Sequence, residues 1–131
     1  CIRDRFLPRV VGLSQALEWV YSADILQPDE ALQGGLVKSV LPAEELLDEA
    51  YRIARRIARH SPVAIALTRQ MMYRNAAMPH PLEAHKVDSL AMFYTSLSSG
   101  KEGVQSFLEK RDAVFTDSSS KDMPDFYPWW E

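Results

Sequence analysis

Apolar positions recur at three- and four-residue spacing along most of this chain, the spacing that gathers side chains on one side of an α-helix. Residues 99–115, SGKEGVQSFLEKRDAVF, show it well: Val104, Phe107, Leu108 and Arg111 fall at i, i+3, i+4 and i+7, and the three apolar ones form a stripe. Ser99 followed by Glu102 has the spacing of a capping box, so a helix is predicted to start there, with one side made to dock. Gly103 costs a helix about 1 kcal/mol relative to alanine, which predicts that another backbone or a ligand comes close there. Lys110 borders the stripe, where its stem can lie on apolar surface. Its ammonium then either complements the end of the helix dipole or meets an anion.

Upstream, residues 2–11 keep a helical spacing interrupted by Pro8, which predicts a short or bent helix ending at Gly12. A second helix follows over 14–22, with Leu13, Ala16, Leu17 and Val20 on one side and Trp19 beside them as a core residue. Gln27-Pro28-Asp29-Glu30 opens a short third helix that Gly34-Gly35 closes. Residues 36–41, LVKSVL, alternate roughly and are β-branched, so a short strand is predicted, stopped by Pro42. A lone strand leaves its N–H and C=O groups without partners, which implies pairing with a segment beyond this chain.

The most regular pattern covers 43–60, with Leu46, Leu47, Ala50, Ile53, Ala54, Ile57 and Ala58 on the side expected to be buried. Its acids crowd the N-terminal half and Arg52, Arg55, Arg56 and Arg59 the C-terminal half, as the helix dipole favours. Ser61-Pro62 reads as N-cap and first position of the next helix, running to about 76 with Val63, Ala64, Leu67, Met71 and Met72 inward. Beyond the linker Pro79-His80-Pro81, a helix over 82–97 aligns Val87, Leu90, Ala91, Tyr94 and Leu97. Phe93 stands next to that row, placed for core packing or for lining a pocket. After Phe115 the chain turns polar, then aromatic in Phe126, Tyr127, Trp129 and Trp130, an extended tail expected to dock on its own domain or on a neighbouring subunit.

Composition narrows the picture. The 131 residues suit a single domain, and 25% charged residues with a net charge of −3 lack the basic excess of a nucleic-acid binder. The arginines of 52–59 therefore read as a solvated helix face. One cysteine, Cys1, is consistent with a reducing compartment, hence a cytoplasmic setting. No apolar run approaches membrane-spanning length, so no membrane partner is expected. His60, His80 and His85 lack metal-ligand spacing, and the five glycines form neither a P-loop nor a dinucleotide fingerprint. By spacing alone the chain is a mainly α module with no visible catalytic or metal-binding equipment.

Read together, Leu7-Pro8-Arg9-Val10-Val11-Gly12, the run EALQGGLVKSV from Glu30 to Val40, Glu45-Leu46-Leu47, Ser61-Pro62-Val63-Ala64 and EGVQSFLEKR from Glu102 to Arg111 resemble the C-terminal half of the enoyl-CoA hydratase/isomerase, or crotonase, family. The match runs in order from about Phe6 to Phe115. The resemblance implies the end of a β/α spiral in residues 1–41, a helical oligomerisation and CoA-site region in 42–116, and an additional aromatic tail in 117–131. It implies an acyl-CoA thioester as substrate, no required cofactor, and a homo-oligomer, trimer or hexamer. The family's oxyanion-hole N–H groups and acid/base residues precede Cys1 in family order. No catalytic residue is therefore carried over, and the chain is expected to be part of a longer protein. The two positions that do carry over are Phe93, matching a residue lining the CoA site, and Lys110, matching a lysine near the CoA nucleotide. Ser22-Ala23-Asp24 departs from the Thr-Gly-Arg of many members, and DFYPWW runs past the usual end. The competing expectation is a helical oligomerisation module without activity.

Overall fold

The computed structural model describes residues 2–127, with side chains from residue 5 onward. Seven α-helices are found among the described residues, in two compact units that divide between Glu49 and Ala50.

In the first unit, α1 (Ile2–Val11) runs through Pro8 and meets α2 (Leu13–Ser22) at Gly12, whose φ of 83° is open to glycine and strained for other residues. Ala16 and Trp19 of α2 are buried, as the pattern predicts. Trp19 also ties α2 to the short α3 (Pro28–Gln33): its Nε1 donates to Glu30 Oε1 at 3.1 Å. The indole ring lies flush against Gly34, where a Cβ would stand 2.4 Å from Trp19 Cη2. Gly34 is thus fixed by a neighbouring ring as well as by its role in ending α3. The turn closes with Leu36 N–H donating to Ala31 O at 2.9 Å.

The strand predicted over 36–41 is not formed among the described residues. Leu36 and Val37, in a bend, and Val40, in the irregular chain after it, remain about 40% exposed. Alternation supplies one strand, and a ladder needs a second.

α4 (Leu46–Ile57) is shorter than predicted, because its first and last residues form tighter turns, Glu45 N–H to Pro42 O and His60 N–H to Ile57 O. Its expected buried side is not buried. Leu46, Leu47 and Ile57 are exposed, and only Ile53 is half-covered. The side chains do segregate by polarity along the helix, but no other element of the described chain covers the apolar side.

The second unit holds α5 (Pro62–Asn75), α6 (Pro81–Leu97) and α7 (Ser99–Glu109). Ser61 caps α5 as predicted, its Oγ accepting from Ala64 N–H at 3.2 Å. His80, read from sequence as linker, caps α6 through Nδ1, which accepts from Leu82 N–H at 3.1 Å. The core is Val63 and Leu67 of α5 against Ala91 of α6, with Met71, Tyr94, Met123 and Tyr127 packed on it. Met72 points outward instead of filling core, and Leu90 and Leu97 stay exposed.

The described part of the aromatic tail docks on this unit. Phe126 meets the Tyr94 ring edge-on at 5.9 Å, and the Tyr94 hydroxyl donates to Asp122 O at 3.0 Å. Of the DFYPWW run, Pro128, Trp129 and Trp130 lie outside the described residues.

Candidate functional site

The C-terminal end of α7 concentrates the chemistry. The helix stops at Glu109, because Lys110 takes the left-handed conformation with φ 55°. Lys110 N–H donates to Phe107 O and Arg111 N–H to Ser106 O, the pair of backward bonds that satisfies the last carbonyls of a helix. Glycine usually occupies that left-handed position, and a lysine there carries strain of about 1–2 kcal/mol. The Lys110 side chain is exposed, and among the described residues its ammonium has no carboxylate partner.

Arg111 is engaged differently. Its Nη1 and Nη2 donate to Glu102 Oε1 and Oε2 at 2.5 and 2.9 Å, a two-pronged pairing across nine residues, and its Nε donates to Glu109 Oε2 at 2.6 Å. Glu102 Oε1 also accepts from Val114 N–H at 2.7 Å. The predicted capping box is therefore not made: Glu102 turns toward the far end of the helix instead of back to its start. Arg111 and then the Val114 amide pull the Glu102 carboxyl down to about 2 from its usual 4.5, despite an opposing desolvation penalty. Glu109 is likewise held below the usual carboxylate range, by Gln105 first and Arg111 second.

Val104, Phe107 and Leu108 do form one stripe, but at 62%, 82% and 68% exposure nothing in the described chain docks on it. A Cβ on Gly103 would meet nothing within 4 Å, so the close approach predicted there is not made by any described residue. Phe93, on α6, is 64% exposed, which removes its core reading in this chain.

Two cavities flank α7. One of about 380 Å³ is lined by Tyr94, Ser99, Glu102, Asp117 and Asp122 among others; the second, about 530 Å³ and open, lies between α6 and α7 beside Met92, Lys101 and Val104. Neither is lined by Phe93 or Lys110, so the structure does not bring these two residues to one described cavity. Sequence reasoning missed a hydroxyl pair that joins buried Ser61 to Ser99, a lining residue of the first cavity. Ser61, 4% exposed, donates to Asp117 Oδ2 at 2.5 Å and lies 3.0 Å from Ser99 Oγ. No group of three or more His, Cys, Asp or Glu among the described residues is arranged to hold a metal ion.

The described chain is helical, with exposed apolar stripes on α4 and α7. Its affiliation is specific: residues 2–118 match the enoyl-CoA hydratase/isomerase family, and the chain belongs to that family. It is 37% identical over 114 residues to the mitochondrial enoyl-CoA hydratase of Pongo abelii, covering 85% of this chain and 38% of that one. It is 36% identical over 112 residues to the crotonyl-CoA hydratase of Syntrophomonas wolfei, covering 83% and 42%. In three dimensions it matches the crystal structure of an enoyl-CoA hydratase from Bacillus anthracis with a TM-score of 0.78 at 28% identity, over 83% of this chain and 42% of that one. The chain thus spans about two fifths of the length of these relatives. The Pongo enzyme is mitochondrial by name, so family membership alone does not place this chain in the cytoplasm. No helix of the described residues is long and apolar enough to cross a membrane.

Proposed function

We propose that this chain is the helical C-terminal portion of an acyl-CoA-processing enzyme, supplying subunit contacts and part of the CoA site. The whole enzyme adds water to, or isomerises, an enoyl-CoA. The observation that carries the reading is the family match across residues 2–118, which takes in every helix described above. Physical features support it. Lys110 offers an ammonium with no carboxylate partner among the described residues, suited to the phosphates of the CoA nucleotide, and exposed Phe93 offers an aromatic wall. The bare stripes on α4 and α7 suit contacts between copies in a homo-oligomer, a trimer in the simplest case. In this reading residues 1–41 belong with the substrate-binding spiral, 42–116 form the assembly and CoA-site region, and 117–131 fasten the end of the chain.

No residue of this chain is assigned a catalytic role. The chain alone is expected to bind coenzyme A without hydrating crotonyl-CoA, measured by calorimetry and by loss of enoyl thioester absorbance. Turnover by the chain alone contradicts the division of labour, and failure to bind coenzyme A contradicts the assigned site.

A further inference from the structure

The sequence Lys110-Arg111 places two cations side by side, and the structure uses them oppositely. Every guanidinium nitrogen of Arg111 is committed to a carboxylate, Nη1 and Nη2 to Glu102 and Nε to Glu109. Arg111 is therefore poorly placed to meet an outside anion. Lys110 stands between those anchors with a strained backbone and an ammonium that has no carboxylate partner among the described residues. A strained, non-glycine conformation persists only where its surroundings over-determine it. Here the Glu102 carboxylate, one turn into α7, grips the chain at Arg111 and again at Val114 N–H, just beyond Lys110. Ser106 O adds a third hold on Arg111 through its N–H at 3.1 Å.

We propose that Glu102 and Arg111 are positioning residues: they clamp the exit of α7 so that Lys110 is held in its left-handed turn with its ammonium presented to the phosphates of coenzyme A. This rests on the reading of Lys110 as a CoA contact. A lysine stem has four rotatable carbons, and fixing its base shrinks the volume its charge samples before binding, which lowers the ordering cost of the contact. Glycine at 110 would relax the backbone but supply no charge.

The test is calorimetric titration of the 131-residue chain with coenzyme A and with pantetheine, which lacks all the phosphates. Lys110→Ala is expected to weaken coenzyme A at least fivefold and leave pantetheine unchanged. Glu102→Gln and Arg111→Lys are each expected to weaken coenzyme A at least threefold, again sparing pantetheine. Adding either to Lys110→Ala should produce no further loss, because the clamp acts through the lysine. Amide exchange at Val114 should accelerate at least tenfold in Glu102→Gln. If Lys110→Ala weakens coenzyme A while both clamp variants bind normally, the clamp is overturned and the CoA contact stands. Additive losses, or equal losses for pantetheine, reduce the clamp to a merely structural role and overturn it as well. A Lys110→Ala chain that binds coenzyme A normally, or an unsubstituted chain that binds none, overturns the lysine contact and the clamp with it.

Discussion

α4 and α5 follow each other along the chain and treat their apolar residues in opposite ways. α5 has only a weak separation of polar from apolar sides, yet Val63 and Leu67 are each 1% exposed. α4 separates them cleanly and fully buries nothing: Leu47 is 68% exposed and Leu46 58%. α7 sides with α4, its stripe of Val104, Phe107 and Leu108 open to solvent. Burial therefore follows the presence of a partner, and a sharp stripe records a need for one. α5 meets that need within its own unit, through α6 and the tail; α4 and α7 do not meet it within the described chain.

The sharpest way to break this contrast is to truncate one leucine on each side of it. Leu67→Ala is expected to lower stability by about 3 kcal/mol, because it removes fully buried contacts and leaves a cavity. Leu47→Ala, on the bare side of α4, should change the stability of the isolated chain by less than about 0.5 kcal/mol. Chemical denaturation of both variants checks the pair, and equal losses would mean that α4 is covered in solution.

Two glycines extend the contrast to the backbone. Gly34→Ala drives a Cβ to within 2.4 Å of the rigid Trp19 ring and is expected to cost about 2 kcal/mol. Gly103→Ala meets nothing and should stabilise the isolated chain by about 1 kcal/mol through helix propensity. If Gly103→Ala also impairs assembly, the close approach expected from sequence is made by a neighbouring copy. A smaller effect is expected at Ala23, which ends α2 with φ 55° at the middle of the Ser22-Ala23-Asp24 departure. Ala23→Gly should raise stability by about 0.5–1 kcal/mol by relieving a left-handed alanine. Thermal melts of the three variants, read against the parent chain, check them.

The smallest effect is on pH. Glu102 has a folded value near 2 and an unfolded value near 4.5, so its contribution is complete above about 4.5. It fades as pH falls from there toward 2. Protection of the Val114 amide, measured against its intrinsic exchange rate at each pH, should fall over that window, and Glu102→Gln should remove the dependence.

Much of this was legible in the sequence, and the failures share a cause. Helix positions followed from periodicity and from local signals such as Ser61-Pro62, whose effects act within a turn or two. The core roles of Trp19, Val63, Leu67 and Ala91 followed from the same patterns. What misled was the inference from stripe to burial. Leu46, Leu47, Phe107 and Leu108 encode contact with something, and the pattern does not say whether it belongs to the same chain. Residues 36–41 failed likewise, since a strand is a property of a pair. The Glu102 to Arg111 grip was hidden for another reason: a separation of nine residues with a chain reversal at Lys110 is not a helix-face repeat. Spacing singled out Lys110 and Phe93 but left each with two roles, and only the resemblance to a family raised the CoA one.

The central claim is that the uncovered stripes of α4 and α7 are made for neighbouring copies of this chain, and sedimentation equilibrium tests it most directly. The chain, 14.9 kDa by sequence, should sediment as a multiple of that mass, and Phe107→Asp, at the most exposed point of the α7 stripe, should sediment as a single copy. A parent chain that stays a single copy at high concentration would contradict the account.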